Sequence, residues 1–313
     1  KFSEVESILL QLEDSNQPSM KPDRKIYAIV LESLFASEDR DALDKANELI
    51  ERMKTNTKLQ PDRVIYTVLM KIHSLCKNVK GSDQVLRQMI QAYKSGRTDC
   101  CPNEEAFVTA MSTWEQSDRS NSVDGALRIF NDMIALYKNG NVDCKPSLKS
   151  FGKLMVILAK SKYETKMNKG KRLLAEMHKY GVIADQSLYN WYIRGLATVQ
   201  TKDESLVRKS WKEAQATFLK LREMELANSH TYNSMFYACD NLLQNQEDNI
   251  IRDIFQKCRD DGMVNRRILT SLRRSINSNL YSELTGLDPS DNNIQMKKIP
   301  ESWKRNIQKK HKK

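Results

Sequence analysis

Histidine, cysteine and paired carboxylates most often carry catalysis or hold metal, and their spacing in this sequence points away from both. The four histidines stand at 73, 178, 230 and 311, too far apart for the His-Glu-x-x-His pair that binds zinc from one helix face. No His-x-Glu is followed by Pro-Cys-x-x-Cys, the arrangement that activates a zinc-bound water in nucleobase deaminases. The cysteines at 76, 100, 101, 144, 239 and 258 form no Cys-x-x-Cys pair, and adjacent Cys100 and Cys101 lack the ligand spacing of structural zinc. They are expected as reduced thiols that fill space like small apolar residues, which implies a reducing, intracellular setting. Phosphate-cradling glycine loops and the Gly-x-Ser-x-Gly elbow are missing. The acidic neighbours Glu38-Asp39 and Asp260-Asp261 fall in loops or at helix ends, where capping and solvation account for them. No enzyme active site, metal, cofactor or small-molecule substrate is expected.

What does recur is a hydrogen-bonding residue behind a proline and four positions before an aromatic. It appears as Pro22-Asp23…Tyr27, Pro61-Asp62…Tyr66 and Pro102-Asn103…Phe107. Looser copies are Pro146-Ser147…Phe151, Ala184-Asp185…Tyr189 and Ala227-Asn228…Tyr232, and a seventh fades at Asn265…Leu269. The six aromatics are spaced 39, 41, 44, 38 and 43 residues apart. Proline suits a helix start because its missing N–H would be unpaired there. The Asp, Asn or Ser that follows accepts hydrogen bonds from orphan N–H groups of the first turn.

A second series runs out of phase with the first. Ala46, Ser82, Ala126, Gly170 and Ala214 are followed four residues on by Ile50, Leu86, Phe130, Leu174 and Phe218. Three further on stand Met53, Met89, Met133, Met177 and Leu221, and Ile251, Phe255 and Cys258 continue the set. Offsets of 0, 4 and 7 share one helix face. Each unit is therefore a first helix carrying the aromatic and a second carrying the small/large/Met face. Since a lone hairpin cannot bury its apolar face, neighbours must stack. The expected fold is all-α: a right-handed α-solenoid superhelix of antiparallel helix-turn-helix repeats. A partial helical repeat is expected over 1–21, six repeats over 22–265, a terminal capping helix over 266–286, and a linker and basic C-terminal tail over 287–313. Within the last, Ile299–Ile307 is expected as a short amphipathic helix, with Trp303 docking onto the last repeat or onto a partner.

Composition agrees with helix. At 313 residues the chain exceeds one ordinary core, so two domains or a linear array is expected. Glycine and proline are too scarce for the many turns of an all-β protein. The longest purely aliphatic run, Leu154–Ala159, is far below the roughly 20 residues that span a bilayer, so no membrane partner is expected. Net charge is +11, yet residues 297–313 hold eight lysines and arginines against the single acid Glu301. The body is thus mildly basic and the tail strongly so: a solvated arm, or an arm that seeks phosphate through Lys304, Arg305, Lys309, Lys310, Lys312 and Lys313. Phe2–Glu13 already has the character of mid-domain helix, and a targeting segment ahead of Lys1 is an open expectation.

These residues resemble the pentatricopeptide repeat family, whose unit is a helical hairpin with an early Tyr or Phe in its first helix and Ala…Phe…Met in its second. Its Met-x-x-x-Gly-x-x-Pro-Asp ending is matched by Met177-His178-Lys179-Tyr180-Gly181-Val182-Ile183-Ala184-Asp185, with Ala in place of Pro. The resemblance covers about 22–265. The units here are longer than the family's, and the additions are expected mostly between the two helices of a unit. The resemblance implies single-stranded RNA as partner, with one base per repeat held by the residue after the aromatic and the residue after the next unit's proline. Carried over, the pairs are Ala28/Asp62, Thr67/Asn103, Val108/Ser147, Gly152/Asp185, Asn190/Asn228 and Asn233/Asn265. Thr/Asn would favour adenine and Asn/Asn pyrimidines, whereas Ala, Val and Gly offer no side-chain hydrogen bond. Val64, Lys149, Ser187 and His230, two before the aromatics, would flank the base. At every one of these positions an ordinary helix cap or an exposed helix residue is the rival explanation. The function so implied is a non-catalytic, sequence-preferring RNA-binding protein of mitochondrial or plastid RNA processing, stability or translation. Its rival is a protein–protein scaffold or structural subunit of a ribonucleoprotein such as an organellar ribosome, with other proteins as partners.

Overall fold

A computed structural model of the chain describes residues 2–117, 120–162, 166–243, 248–291 and 294–307. Among the described residues the fold is an all-α solenoid of fifteen helices with no strand, and no helix is long and apolar enough to cross a membrane. The chain divides into two compact units, Lys1–Ile157 and Leu158–Lys313.

The N-terminal unit contains α1 (Phe2–Asp14), α2 (Arg24–Ser37), α3 (Ala42–Asn56), α4 (Arg63–Leu75), α5 (Val79–Lys94), α6 (Glu104–Gln116) and α7 (Ser122–Lys138), and the unit boundary falls within α8 (Leu148–Lys160). The C-terminal unit continues with α9 (Lys166–Glu176), α10 (Gln186–Ala197), α11 (Glu204–Glu223), α12 (Ser229–Leu242), α13 (Asp248–Asp260), α14 (Arg266–Ser275) and α15 (Ser278–Thr285). From α2 on, even-numbered helices are the first helices of successive repeats. In each unit the first helices pack directly on one another, α2 on α4 on α6 and α10 on α12 on α14, while second helices pack between them on the other side. Each unit thus presents its first helices as one continuous row.

The two sequence series are the two halves of that packing. Tyr27, Phe107, Phe151 and Tyr232 are fully buried, as are Ala46, Ser82, Ala126, Ala214, Met53, Met89 and Met133; Leu174 alone of the second series stays partly exposed, with Leu173 buried beside it. The series meet edge-to-face. Phe130 lies 5.1 Å from Phe151 at 67°, and Phe218 lies 5.2 Å from Tyr232 at 77°, a geometry that contributes roughly 1 kcal/mol beyond area burial. The second helix of one repeat therefore locks to the first helix of the next.

The prolines stand one residue outside the helices rather than at their first position. Pro22, Pro61, Pro102 and Pro146 are buried, and the residue after each begins the helix as its cap. Where repeats two and three are long, the extra residues follow the second helix and do not separate the pair, contrary to the sequence expectation. They form matching segments, Tyr93-Lys94-Ser95-Gly96-Arg97-Thr98-Asp99-Cys100-Cys101-Pro102 and Tyr137-Lys138-Asn139-Gly140-Asn141-Val142-Asp143-Cys144-Lys145-Pro146. Gly96 and Gly140 take φ of 97° and 98°, a conformation that a side chain would strain. Each segment then turns back to its own repeat's start. Arg97 Nη2 donates to the Pro61 carbonyl at 2.8 Å and Cys100 Sγ at 3.4 Å; Asn141 Nδ2 and Cys144 Sγ donate to the Pro102 carbonyl at 2.9 and 3.2 Å. Burial pushes the Cys100 thiol up to about 11 and that of Cys144 to about 12, so both remain protonated donors at neutral pH. In the fifth repeat the extra length lies in the second helix itself: α11 runs 20 residues, and residues 198–203 join it to α10.

The described residues from 266 to 307 are also more structured than expected. The terminal helix is two helices, because Ile276 is extended and Asn277 opens α15 by accepting from Leu280 N at 2.9 Å. Over 296–303 two 3-10 turns replace the expected amphipathic helix. Docking decides this. Trp303 packs edge-on against Phe255 at 5.8 Å under the Arg259 guanidinium at 4.0 Å, its carbonyl accepts from Val264 N at 2.8 Å, and Asn306 N donates to the Gly262 carbonyl at 3.1 Å. Trp303 thus docks onto the last repeat.

Two buried polar groups tie helices together. Glu13 on α1 is almost fully enclosed, accepting from Tyr27 OH at 2.5 Å and from Arg52 Nε at 3.1 Å. Glu13→Ala leaves the largely buried Arg52 guanidinium only its longer pair with Glu6, at 3.8 Å, and is expected to cost about 3 kcal/mol in urea denaturation; a loss below ~1 kcal/mol would mean an exposed-type pair. Lys166 is buried, with Nζ donating to the carbonyls of Ser161 and Thr198 at 2.9 Å each and to Thr198 Oγ1 at 2.7 Å. Burial lowers its ammonium to about 8. Since the folded pKa lies below the unfolded value of about 10.4, the folded state binds fewer protons between the two, and stability rises with pH across that window. Measured against Lys166→Met, the wild-type chain should gain about 3 kcal/mol between pH 8 and 10.4; a pH-independent difference would contradict the burial of a charged amine.

Candidate nucleic-acid interface

Each first helix begins on a side chain that closes its own first turn. Asp62 accepts from Ile65 N at 3.0 Å, Asn103 from Ala106 N at 3.1 Å, Asp185 from Leu188 N at 2.8 Å, Asn228 from Thr231 N at 3.0 Å and Asn265 from Ile268 N at 2.9 Å. The capping atom is Oδ1 in every case, and this leaves the other end of the side chain unspent. The Nδ2 groups of Asn103, Asn228 and Asn265 make no hydrogen bond among the described residues. Capping and ligand recognition are therefore compatible in one asparagine, since its amide has separate accepting and donating ends.

The partner positions, one after each aromatic, differ between the units. In the N-terminal unit Ala28, Thr67 and Val108 are buried between neighbouring first helices, and the Thr67 hydroxyl donates back to the Arg63 carbonyl at 2.8 Å. Ser147 is occupied by Glu104, donating to its two carboxylate oxygens at 2.7 and 2.8 Å. Lys71 pairs with Glu105 at 3.7 Å and Lys153 with Glu115 at 2.8 Å, bridging successive first helices. Val64 is half exposed on the first turn of α4. Apart from the Asn103 amide, these positions offer apolar and already bonded groups.

The C-terminal row is built differently. A groove of about 500 Å³ lies along it, lined by Gln186, Ser187, Asn190, Trp191 and Arg194 of α10, Asn228, His230, Asn233 and Ser234 of the α12 segment, and Arg267 of α14. It gathers five of the residues that sequence singled out, Ser187, Asn190, Asn228, His230 and Asn233. Asn190 Nδ2 approaches Asn228 Oδ1 at 3.5 Å, and Asn233 Oδ1 accepts from Ser271 Oγ at 2.8 Å. Asn265 caps α14 just behind Arg267, whereas Asp185 is exposed at the start of α10. Trp191, Arg194 and Arg267 were not found from the sequence. The signal for Arg267 was available, because it stands two before Leu269, the register of Ser187 and His230. Arg194 and Tyr237 likewise share a register, five after their repeat's aromatic, and the Arg194 guanidinium lies 5.0 Å from the Tyr237 ring centroid.

Charge follows the same division. Among the described residues no carboxylate lines the C-terminal groove, and α14, with the sequence Arg-Arg-Ile-Leu-Thr-Ser-Leu-Arg-Arg-Ser, carries four arginines and no acid. Behind the groove Asp261 receives a two-pronged bond from Arg222, 3.0 Å on each arm, and a hydrogen bond from Tyr232 OH. Burial would raise the Asp261 carboxyl, but the bonds from Arg222 and Tyr232 outweigh it and hold it below the usual carboxylate range. Its charge is thus neutralised away from the row. Of the tail residues expected on phosphate, Lys304 is held by Glu301 at 2.6 Å and the Met296 carbonyl at 3.1 Å, and Arg305 donates to the Asp260 carbonyl. Lys309, Lys310, Lys312 and Lys313 lie outside the described residues. No group of three or more His, Cys, Asp or Glu side chains that could hold a metal ion occurs among the described residues.

No protein-family model matches the sequence, and no curated protein matches it. Among solved structures the chain is similar to the pentatricopeptide repeat protein PPR10 from maize, with 17% identity over 88% of this chain and a TM-score of 0.53. A second PPR10 structure, in complex with an 18-nt psaJ RNA element, matches at 16% identity over 85% of this chain with a TM-score of 0.43. The chain spans about two fifths of the length of these neighbours, 39% and 40%. The first likeness shows that the chain has the pentatricopeptide-type helical-repeat fold.

The double use of asparagine can be tested on stability alone. Asn228→Ala removes the cap of α12 and is expected to cost about 1 kcal/mol in chemical denaturation. Asn228→Asp keeps the capping oxygen and should leave stability unchanged. Equal losses in both variants would place the amide nitrogen, not the oxygen, in the structural role.

Proposed function

We propose that this chain is a non-catalytic, sequence-preferring single-stranded RNA-binding protein that acts in organellar RNA processing, stability or translation. The observation that carries the reading is the C-terminal groove, where the unspent amide end of the Asn228 cap and the side chains of Asn190 and Asn233 meet two arginines. Single strands are recognised by side chains that bond exposed base edges, with cations taking the phosphates. The paired positions Asn190/Asn228 and Asn233/Asn265 place such amides on adjacent first helices, one repeat apart. The fold is that of a protein whose other structures hold RNA, which supports the same reading.

Specificity is assigned to the C-terminal unit. RNA selected by the full chain from a random pool should converge on a short motif with pyrimidines at two adjacent positions. Asn228→Asp and Asn190→Ala should each weaken binding to that motif about ten-fold, the upper part of what one hydrogen bond contributes, and relax it at one position. A pool that stays random after selection would overturn sequence preference. Trimming 308–313 removes Lys309, Lys310, Lys312 and Lys313 while sparing the docked Trp303 segment. If all four charges contact phosphate, the slope of log affinity against log salt should flatten by about 3, with the preferred motif unchanged.

The N-terminal row favours a second reading for that part of the chain, a protein-binding scaffold within a ribonucleoprotein. Its positions after the aromatics at 28, 67 and 108 are buried, Ser147 is bonded to Glu104, and its first helices are joined by ion pairs. Crosslinking in cells separates the two: a short enriched motif supports specific recognition, and broad contact along ribosomal RNA supports the scaffold.

A further inference from the structure

We infer, on the premise of the RNA-binding reading above, that the Trp191 indole is a stacking floor for one nucleobase in the C-terminal groove. The register it occupies, two after the repeat aromatic, is elsewhere filled by Ile29, Val68, Thr109, Lys153, Ser234 and Ser271. Val68, Thr109 and Ser234 there are buried between neighbouring first helices. An indole is too large for that gap, and Trp191 instead remains partly exposed and lines the groove. No other repeat has an aromatic at this position. Its ring is already polarised by a cation, Lys160 Nζ lying 5.9 Å from the centroid.

The surroundings select the kind of flat ligand. One turn apart on α10, Gln186 and Asn190 each hold a buried polar atom with no hydrogen-bond partner, the donor Nε2 of Gln186 and the acceptor Oδ1 of Asn190. Unpaired buried polar atoms are costly, and a ligand that satisfies both is favoured by the difference. A nucleobase has a π face for the indole and an edge that presents acceptor and donor together. Arg194 and Arg267 line the same groove, suited to the phosphates on either side of the base. A cationic peptide side chain would also stack on tryptophan, but a groove with these cations and no carboxylate repels it. Stacking of this kind is tolerant of base identity, so Trp191 supplies affinity where the neighbouring amides supply choice.

The test uses the full chain labelled with 5-fluorotryptophan, the Trp191 resonance being identified by its loss in Trp191→Phe. On addition of oligouridylate or oligocytidylate the Trp191 fluorine signal should shift, while those of Trp114, Trp211 and Trp303 stay in place. Trp191→Leu, which keeps apolar bulk but no π face, should bind about ten-fold or more weakly, and Trp191→Phe should retain most affinity, as expected for base–aromatic stacking. If RNA binds while the Trp191 signal is unmoved and Trp191→Leu retains wild-type affinity, the stacking role is overturned and the RNA-binding reading stands. If the unsubstituted chain binds no RNA, the premise itself is overturned. The fluorine shift needs no substitution in the binding measurement, so a Trp191→Leu variant that fails to fold still leaves the role decided.

Discussion

Direct packing of each first helix on the next is the constraint on which the rest of each unit depends. A helical hairpin has too little apolar surface to be stable by itself, so burial becomes available only when the aromatic of one repeat meets the second helix of the repeat before it. That requirement makes the aromatic large, the facing residue small and the spacing nearly constant. It also aligns the starts of the first helices along one row. Whatever residues occupy those starts are then brought side by side, although they lie some forty residues apart in the chain.

The starts are polar for a local reason, and recognition is built on the same atoms. A helix leaves its first N–H groups without partners, and a cap at each repeat satisfies one of them. An asparagine does so with its oxygen and keeps a donor for a ligand; an aspartate keeps only an acceptor; a serine has less to spare and here is drawn to Glu104. The two units diverge from this common plan. In the N-terminal unit the position after the aromatic is small or apolar and sealed by its neighbour, and ion pairs close the row. In the C-terminal unit asparagines take that position, and the row remains open to a ligand.

Arginine divides its work on α14 by helical periodicity. Arg266 and Arg273, seven apart and so on one face, hold the returning chain through the Ile294, Pro289 and Asp291 carbonyls at 3.3, 3.3 and 3.0 Å. Arg267, one position further round, lines the groove. The same helix therefore anchors the segment that carries Trp303 and gives the recognition row its positive charge. That segment consumes Lys304 and Arg305 as structural groups.

Sequence alone determined the repeat, because the aromatic and small/Met series state one-dimensionally what packing demands: Tyr27, Phe107 and Ala46 are buried where periodicity puts them. It also determined the caps, since proline followed by Asp or Asn is a local signal read within a single turn. It did not determine where the extra residues fold, because the turns at Gly96 and Gly140 are defined by carbonyls of Pro61 and Pro102, each some forty residues away. It left Thr67 equal to Asn190 as a candidate, and only the packed row shows one hydroxyl bonded inward and one side chain lining the groove with its amide oxygen unpaired. Trp191, Arg194 and Arg267 belong to one site by virtue of adjacent helices, a relation that no spacing along the chain expresses. Local periodicity is written into the order of residues; which polar atoms remain unpaired is decided when neighbouring helices close around them.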